Sequence, residues 1–396
     1  MRKTKTGNNQ YLKEMNQSIV LELIRTNKGI SRIVLAQKTG LSPTAIGAIV
    51  RTLLKDEYIR EVGEGKSTGG RKPTILEIRE NSYYAFGFDI DMKFIYTMVL
   101  DTTGKVHYEN KLEVREALTP EDAIDRITDI YNKVTAQMKL KKERILGAGI
   151  SIPGMMDLNT RKIMFAPNLG WTDVDMLESL KERLGIPVYI DNEATCSAIC
   201  ENWLGMCKGI EDFICINIES GIGAGIFMRG MLYRGHSGSA GEVGHIPVDE
   251  NGPKCKCGNI GCLESIASTN AMVSKYQKLL NNSKNIKSVD YQQCFENMML
   301  QVENGDKKCL DILKEAAISL GKAIGYLINV FNPEQIVLGK KFPRYSKFVL
   351  DDIRHVAMKT ALEYPAQNCR ILPSLFGENS SAMGASIIPI RKLFGY

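Results

Sequence analysis

No stretch of about 18 consecutive apolar residues, the length that crosses a bilayer, occurs in the 396-residue chain, so no membrane-spanning helix is expected. The basic start Met-Arg-Lys-Thr-Lys is not followed by an apolar segment, which argues against a secretory leader. Low-complexity tracts are absent, and no strong linker is visible beyond about residues 78–83. Most of the ten cysteines are scattered. Cys196, Cys200, Cys207 and Cys215 sit in apolar or helical contexts and read as small buried hydrophobes. A disulfide scaffold is not expected at this size, and a reduced, cytoplasmic protein is. A chain of this length is expected to hold two or three domains around a large core.

Charge is present but unevenly spread. Residues 1–80 carry 15 Lys/Arg against 8 Asp/Glu, and the rest of the chain carries 36 against 37. All the positive excess lies in the first fifth, as in a nucleic-acid-binding head on a neutral body.

That first fifth has a matching pattern. Ile19, Val20, Leu23 and Ile24 give helical spacing over Asn16–Asn27. Ser31 caps a short helix, Arg32–Thr39, which Gly40 stops. Ser42 caps the next, with Pro43 in its first turn and the body running Thr44–Leu54. Ile46, Ile49, Val50, Leu53 and Leu54 form its buried stripe. Thr44, Ala45, Gly47, Ala48 and Arg51 face the other way, small and polar enough for close approach to a major groove. Two helices about a tight Gly turn are a helix-turn-helix. Tyr58–Val62 and Ile75–Ile78 then alternate as two strands about the basic tip Gly63–Pro73, which makes a winged helix. Arg71, beside Gly69 and Gly70, is placed to enter a narrow minor groove.

From Tyr83 the pattern is α/β. Strands are expected at Ala85–Ile90, Ile95–Leu100 and Val106–Val114, a helix at about 120–137, and a strand at Ile145–Ile152. A similar order recurs after Asp212, with strands at Phe213–Ile218, Gly223–Met228 and near Leu232, and later at Gln335–Leu338 and Arg370–Leu372. Residues 270–330 are largely helical. Two related lobes about a cleft fit this order better than one sheet.

The densest chemistry lies in Gly241–Glu264. Cys255, Cys257 and Cys262 fall within eight residues, and His245 lies ten residues upstream of the first. Three thiolates and one imidazole suit a closed, structural zinc site with no position left for catalysis. Gly258 and Gly261 let the loop turn tightly enough to gather the sulfurs. Glu242 and Glu264 bracket the loop, so the clip presents two acids at its rim.

Gly241-Glu-x-Gly-His245, Cys-Lys-Cys-Gly-x-x-Gly-Cys-Leu-Glu264, Pro167-Asn-Leu-x-Trp171, Asp191-Asn-Glu-Ala194, Gly221–Gly225 and the wing's Gly-Gly-Arg-Lys-Pro together resemble the ROK family of repressors, open reading frames and sugar kinases. The resemblance covers essentially the whole chain, and the cysteine motif is its most specific part. It implies an α/β protein: an N-terminal winged helix-turn-helix (1–80) followed by an actin/hexokinase-like two-lobed ROK body (83–396), with zinc at 245–262. Carried residue by residue, it implies sugar binding by Asn192, Glu193, Glu242, His245 and Glu264, with Gly154 and Asn168 on loops that line the same pocket. It further implies a homodimer or higher homo-oligomer, operator DNA as partner, and a free sugar as effector, a pentose such as xylose first and glucose or N-acetylglucosamine next. Carboxylates and Asn suit hydroxyl recognition because they supply the acceptors and donors a sugar requires.

The family also contains ATP-dependent sugar kinases, and that alternative meets two departures. Where those kinases carry the phosphate-binding turn Asp-x-Gly-Gly-Thr, this chain reads Asp89-Ile-Asp-Met-Lys-Phe94, with a carboxylate in place of backbone amides free to approach phosphate. Glu193 stands where the kinases carry the general-base Asp. One extra methylene moves a carboxylate by about 1 Å, and a misplacement of that size costs roughly a hundredfold in rate. The expectation is a sugar-responsive repressor without catalytic residues.

Overall fold

A computed structural model describes residues 9–27, 29–64, 73–114, 117–281 and 290–396. The head comprises α1 (Asn9–Thr26), β1 (Ile30–Ser31), α2 (Arg32–Thr39), α3 (Pro43–Lys55), β2 (Ile59–Glu64) and β3 (Thr74–Ile78). Ser31 accepts from the Val34 amide to cap α2, and Gly40, at φ 70°, ends it by donating to the Ala36 carbonyl. Ser42 caps α3 by accepting from the Ala45 amide at 3.2 Å. α2 and α3 cross at 119°, within the range of helix-turn-helix units. Leu35, Ile46, Val50, Leu53, Ile59 and Leu76 close the core beneath them. Two details differ from the sequence pattern. The first helix begins at Asn9, not Asn16, and Ile30–Ser31 pairs with Leu76 and Ile75 as a third strand too short to show periodicity.

The body contains two five-stranded sheets with one connectivity. The first is built from β4 (Tyr84–Ile90), β5 (Phe94–Asp101), β6 (Val106–Glu113), β7 (Ile145–Ile152) and, after three short strands, β11 (Val188–Asn192), in the order β11-β7-β4-β5-β6. The three short strands, β8 (Met155–Met156), β9 (Ile163–Ala166) and β10 (Trp171–Val174), form a small sheet of their own that the sequence pattern did not reveal. Helices α4 (Pro120–Gln137) and α5 (Leu177–Leu184) cover the outer face. Thr119 opens α4 with a capping box completed by Asp122. The second sheet is built from β12 (Phe213–Ile218), β13 (Ile222–Met228), β14 (Met231–Tyr233), β15 (Gln335–Lys340) and β16 (Arg370–Pro373), in the order β14-β13-β12-β15-β16. In both, a three-strand antiparallel meander is extended by two parallel strands. The lobe repeat expected from the sequence is therefore present.

Between the sheets lie α6 (Glu193–Trp203) and, at the end of the chain, α13 (Ser380–Leu393). The remaining helices, α7 (Leu263–Ala267), α8 (Thr269–Asn281), α9 (Tyr291–Glu303), α10 (Lys307–Phe331), α11 (Ser346–Thr360) and α12 (Glu363–Gln367), belong to the second lobe. α6 is gripped on both sides. A Cβ on Gly225 of β13 would lie 2.5 Å from the Ala194 carbonyl, and one on Gly384 of α13 would lie 1.7 Å from the Cys196 carbonyl. Only glycine allows such close backbone approach. The apolar layer around α6 and α13 contains Cys196, Ile199, Cys200, Trp203, Cys215, Ile387 and Ile390, and runs on without a break into Val20, Leu21 and Ile24 of the head. Among the described residues, no single helix is long and apolar enough to cross a membrane.

Candidate functional site

The cysteine loop folds as its glycines require. Gly258 and Gly261 take φ of +101° and +68°, and the loop is closed by Cys255 donating its amide to the Asn259 carbonyl at 2.8 Å. The ligand atoms of His245, Cys255, Cys257 and Cys262 all lie within 4.8 Å of one another. Cys257 and Cys262 sulfurs are 3.6 Å apart, and the Cys255 sulfur is 3.7 Å from His245 Nδ1. Zinc–sulfur bonds of about 2.3 Å in a tetrahedron set ligand atoms about 3.8 Å apart, so the four side chains fit that ion. The Asn259 amide draws the Cys257 thiol down to about 7, whereas burial pushes Cys262 up to about 12. A cation among them would favour the thiolate in each. Nδ1 is the nitrogen that faces the sulfurs, which leaves Nε2 of His245 for a second role.

The loop leads directly into α7, whose first turn carries Glu264. Its Oε2 accepts from the Ile222 amide at 3.0 Å, which pins it beside Gly221. Glu242 precedes the single 3-10 turn Val243–His245. Burial raises the Glu242 carboxyl, His245 opposes the rise and Glu264 adds to it, so the two acids and the histidine share one neighbourhood. Asn168 lies on the turn between β9 and β10, with Nδ2 3.5 Å from Ser220 Oγ. Asn192 caps α6, accepting from the Ala194 and Thr195 amides, and donates Nδ2 to the Gly154 carbonyl at 2.9 Å. Its neighbour Asp191 is held by Arg234 in a two-pronged ion pair. A pocket of about 550 Å³ is lined by Asn168 and Glu264, together with Asp91, Glu219, Ser220 and Lys341. Gly154, Asn192, Glu193, Glu242 and His245 do not line that pocket. Glu242 shares an electrostatic neighbourhood with His245 and Glu264, and Glu193 shares one with Asp91 and Glu219.

The sequence pattern missed the floor of the cleft. Lys340, the last residue of β15, is 3 % exposed and stands 2.8 Å from Asp89 Oδ2 of β4 and 3.6 Å from Glu219 Oε2 at the end of β12. Asp89, itself 1 % exposed, also accepts from Ser151 Oγ at 2.5 Å. Burial pushes Glu193 up to about 7; Lys340 pulls against this, and Asp89 and Asp91 add to the rise. Burial likewise pushes Glu219 up to about 8 against the pull of Lys340. The one available signal was the pair Lys340-Lys341 at the end of an otherwise apolar strand. Lys341 pairs with Glu378 beside Tyr96 and Lys111, and Lys93 reaches Asp290 across the cleft mouth.

On the head, Ser42, Thr44, Ala48 and Arg51 are exposed and Ala45 and Gly47 half-buried, and a Cβ on Gly47 would meet nothing within 4 Å. The face read from the sequence is therefore open. Gly69, Gly70 and Arg71 lie outside the described residues. The head docks on the body at two places. Tyr58 stacks on Tyr83 with ring centroids 4.3 Å apart, and Tyr83 donates to the Asp56 carbonyl at 2.8 Å. Arg25 of α1 lies 3.7 Å over the Trp203 ring at the end of α6, and Tyr396 donates to Glu22 at 2.9 Å.

Residues 85–392 match the model of the ROK family, and residues 18–60 match a winged helix-turn-helix DNA-binding model. The chain belongs to the ROK family. Among curated ROK relatives, the xylose repressor of Bacillus subtilis (strain 168) is 32 % identical over 380 residues, 96 % of each chain. The DNA-binding transcriptional dual regulator NagC of Escherichia coli (strain K12) is 28 % identical over 394 residues, 98 % of this chain and 95 % of its own. Among solved structures, a ROK family transcriptional regulator, a homologue of the E. coli MLC protein, superposes with TM-score 0.83 over 97 % of both chains at 23 % identity. A ROK family glucokinase from Streptomyces griseus, in complex with glucose and AMPPNP, superposes with TM-score 0.67 at 26 % identity, covering 76 % of this chain and 98 % of its own. The part without a counterpart in an enzyme of that length corresponds in size to the head.

Proposed function

We propose that the protein is a transcriptional repressor that binds operator DNA through α3 and its wing and releases it when a free sugar, xylose in the first instance, enters the cleft. The observation that carries this reading is α6. Its N-cap Asn192 and first residue Glu193 stand at the end where we place the sugar, and its last residue, Trp203, lies under Arg25 of the DNA head. One helix thus touches both places at which a ligand would act.

Asn192, Glu193, Glu242, His245 and Glu264 take the sugar hydroxyls, with Asn168 and Gly154 on the adjoining loops. Four of the five lie on segments fixed independently of the sugar: the α6 cap and the metal loop. Zinc, held by His245, Cys255, Cys257 and Cys262, supplies no chemistry beyond fixing the loop. The chain works in the cytoplasm as a homodimer, so that two heads meet two half-sites about one DNA turn, or a small multiple, apart. Sugar shifts the balance between head positions only as far as it binds one of them more tightly.

Catalysis is not part of this reading. The raised Glu193 is the one feature of a general base. Against it stand the Asp91 carboxylate in the turn after β4 and the buried Lys340 ammonium, already matched by Asp89. Operator selection from a random duplex pool, followed by fluorescence anisotropy with added xylose, tests the proposal. The expected outcome is a palindromic site whose affinity falls with xylose and no ADP release from Mg-ATP with any sugar. Turnover of ATP at ordinary enzyme rates would overturn it.

A further inference from the structure

We propose that the exposed apolar face formed by the C-terminal ends of α10 and α11 together with α12 is the surface on which a second copy of this chain docks, in a two-fold arrangement that brings the two DNA heads towards each other. The inference rests on the homodimer reading above and adds to it the interface, which that reading leaves open.

Three observations carry it. The first is a concentration of apolar surface. Among the described residues, three of the five most exposed large apolar side chains gather here: Tyr364 at 79 %, Val330 at 73 % and Leu362 at 70 %. Exposed apolar residues scattered singly mean little, whereas a contiguous patch marks a contact surface. Contiguity is fixed by a hydrogen bond. Asn329 Oδ1 accepts from the Leu362 amide at 2.8 Å, which sets Leu362 beside the last turn of α10 and so beside Val330. Tyr326 stands four residues before Val330 on that helix, a spacing that shares one face. Met358 closes the patch from α11, on the rim of a cavity of about 230 Å³ that it lines with Ile328, Ala366 and Cys369.

The second observation is extent. A stable, specific interface buries about 800 Å² on each partner. One buried aromatic side chain supplies about 150–250 Å², and this face offers Tyr364, most of Val330 and Leu362, and parts of Tyr326 and Met358. That is the scale of contact between folded chains. The face is also preformed: α11 approaches α10 so closely that a Cβ on Gly325 would lie 2.5 Å from Thr360 Cβ, so docking has little backbone left to order.

The third is charge. Lys359 and Glu363, both exposed, flank Leu362 with opposite signs, and Lys359 has no acidic partner among the described residues. In a two-fold interface every contact occurs twice with the roles exchanged. A face with one cation and one anion about an apolar centre therefore matches its own copy, while a face of one sign would repel it.

The place of the face in the fold favours the same partner. β15 runs from Gln335 at this end to Lys340 at the cleft floor, and Gln335 is in register with Arg370, where β16 starts shortly after α12. Gln335 also donates to the Met206 carbonyl at 2.9 Å, three residues beyond Trp203, over which Arg25 of the head rests. The face and the head joint thus lie at one end of the body and the cleft at the other. Two copies joined here draw their heads together, as neighbouring half-sites require, and leave both clefts open.

The test is sedimentation velocity on the full chain at micromolar concentration, with operator binding read in parallel. Wild type should sediment as a dimer or a multiple of one. Leu362→Glu/Tyr364→Glu, which sets like charges face to face across the two-fold, should fall to half the wild-type size. Its affinity for a single half-site should stay within about twofold, which reports an intact fold, while its affinity for the whole palindrome drops about tenfold or more. Lys359→Glu and Glu363→Lys should each weaken the dimer about tenfold alone, and the double exchange Lys359→Glu/Glu363→Lys should restore it, a recovery that damaged folding would not give. A double exchange no better than either single would overturn the two-fold pairing. Leu362→Glu/Tyr364→Glu at the wild-type size would overturn the interface and leave the homodimer standing. Wild type that stays monomeric with and without operator would sink the homodimer itself.

Discussion

At the scale of single residues, the site is a contest between burial and compensation. Glu193 folds with its carboxyl raised to about 7 from an ordinary value of 4.5. A group raised in this way contributes stability that is complete below its unfolded value and is lost as pH climbs through 7. Glu219, raised to about 8, behaves alike over a slightly wider window. Glu378 has the opposite sign. Burial opposes ionisation there, but Lys341 and Lys111 hold it down to about 2, so its contribution is present above 4.5 and lost as pH falls towards 2. Sugar binding should therefore weaken as pH drops below about 7 while the fold persists, and Glu193→Gln should flatten that profile; calorimetric titration between pH 6 and 9 checks both. At the metal loop, Cys257→Ser should reduce zinc from one per chain to near zero by elemental analysis. The same change should abolish the sugar response, since apparent structural zinc binding is worth on the order of 10 kcal/mol. Retention of the full response in metal-free protein would remove the clip from the account. The clip was legible in the sequence because its ligands are close in the chain and their spacing is itself the signal. Lys340 was not, because its partner Asp89 lies 251 positions away and a pair of lysines at the end of a strand ordinarily reads as solvated.

At the scale of elements, what was legible follows the range of the interactions. Ser31, Gly40, Ser42 and Pro43 punctuate α2 and α3 through bonds within four residues, and those helices were readable to within a residue or two. The strands of both sheets were readable by alternation or by apolar runs, except β11, the edge strand of the first sheet, which the sequence pattern missed. β8, β9 and β10 were not, since two to four residues carry no period and their pairing is decided by the cleft they border. The open face of α3 gives a prediction of its own. Arg51→Ala should weaken operator binding by about 1–3 kcal/mol if it reads a base edge and leave xylose affinity unchanged. Equal loss of both would mean that the head had been disturbed, not merely its reading face. The α1–α6 joint gives another. Arg25→Met removes the cation over Trp203 and its ion pair with Glu22 but keeps an apolar stem on the ring. Each ligand alone should bind within roughly twofold of wild type, while the sugar-induced loss of operator affinity shrinks, as measured by anisotropy with and without saturating xylose.

At the scale of the molecule, a nearly neutral two-lobed receptor carries a basic reader, and all the net positive charge belongs to the reader. DNA affinity should consequently fall steeply with salt, log K declining by about 0.9 per phosphate contact for each unit of log salt, whereas sugar affinity should barely respond. A flat salt profile for DNA would contradict the assignment of the head. The continuous apolar layer from Ile24 through Trp203 to Ile390 also means that head and body are not beads on a string. Thermal unfolding should show the head melting with the first lobe, not before it.

The helix held between Gly225 and Gly384 has one last implication. Something clamped so tightly at its middle transmits a push from either end, so whatever holds the reader in place also stiffens the receptor against its guest. While the head is held on operator DNA, the threshold for sugar should be higher than on bare protein in a cuvette, by the same factor with which sugar loosens the hold on DNA.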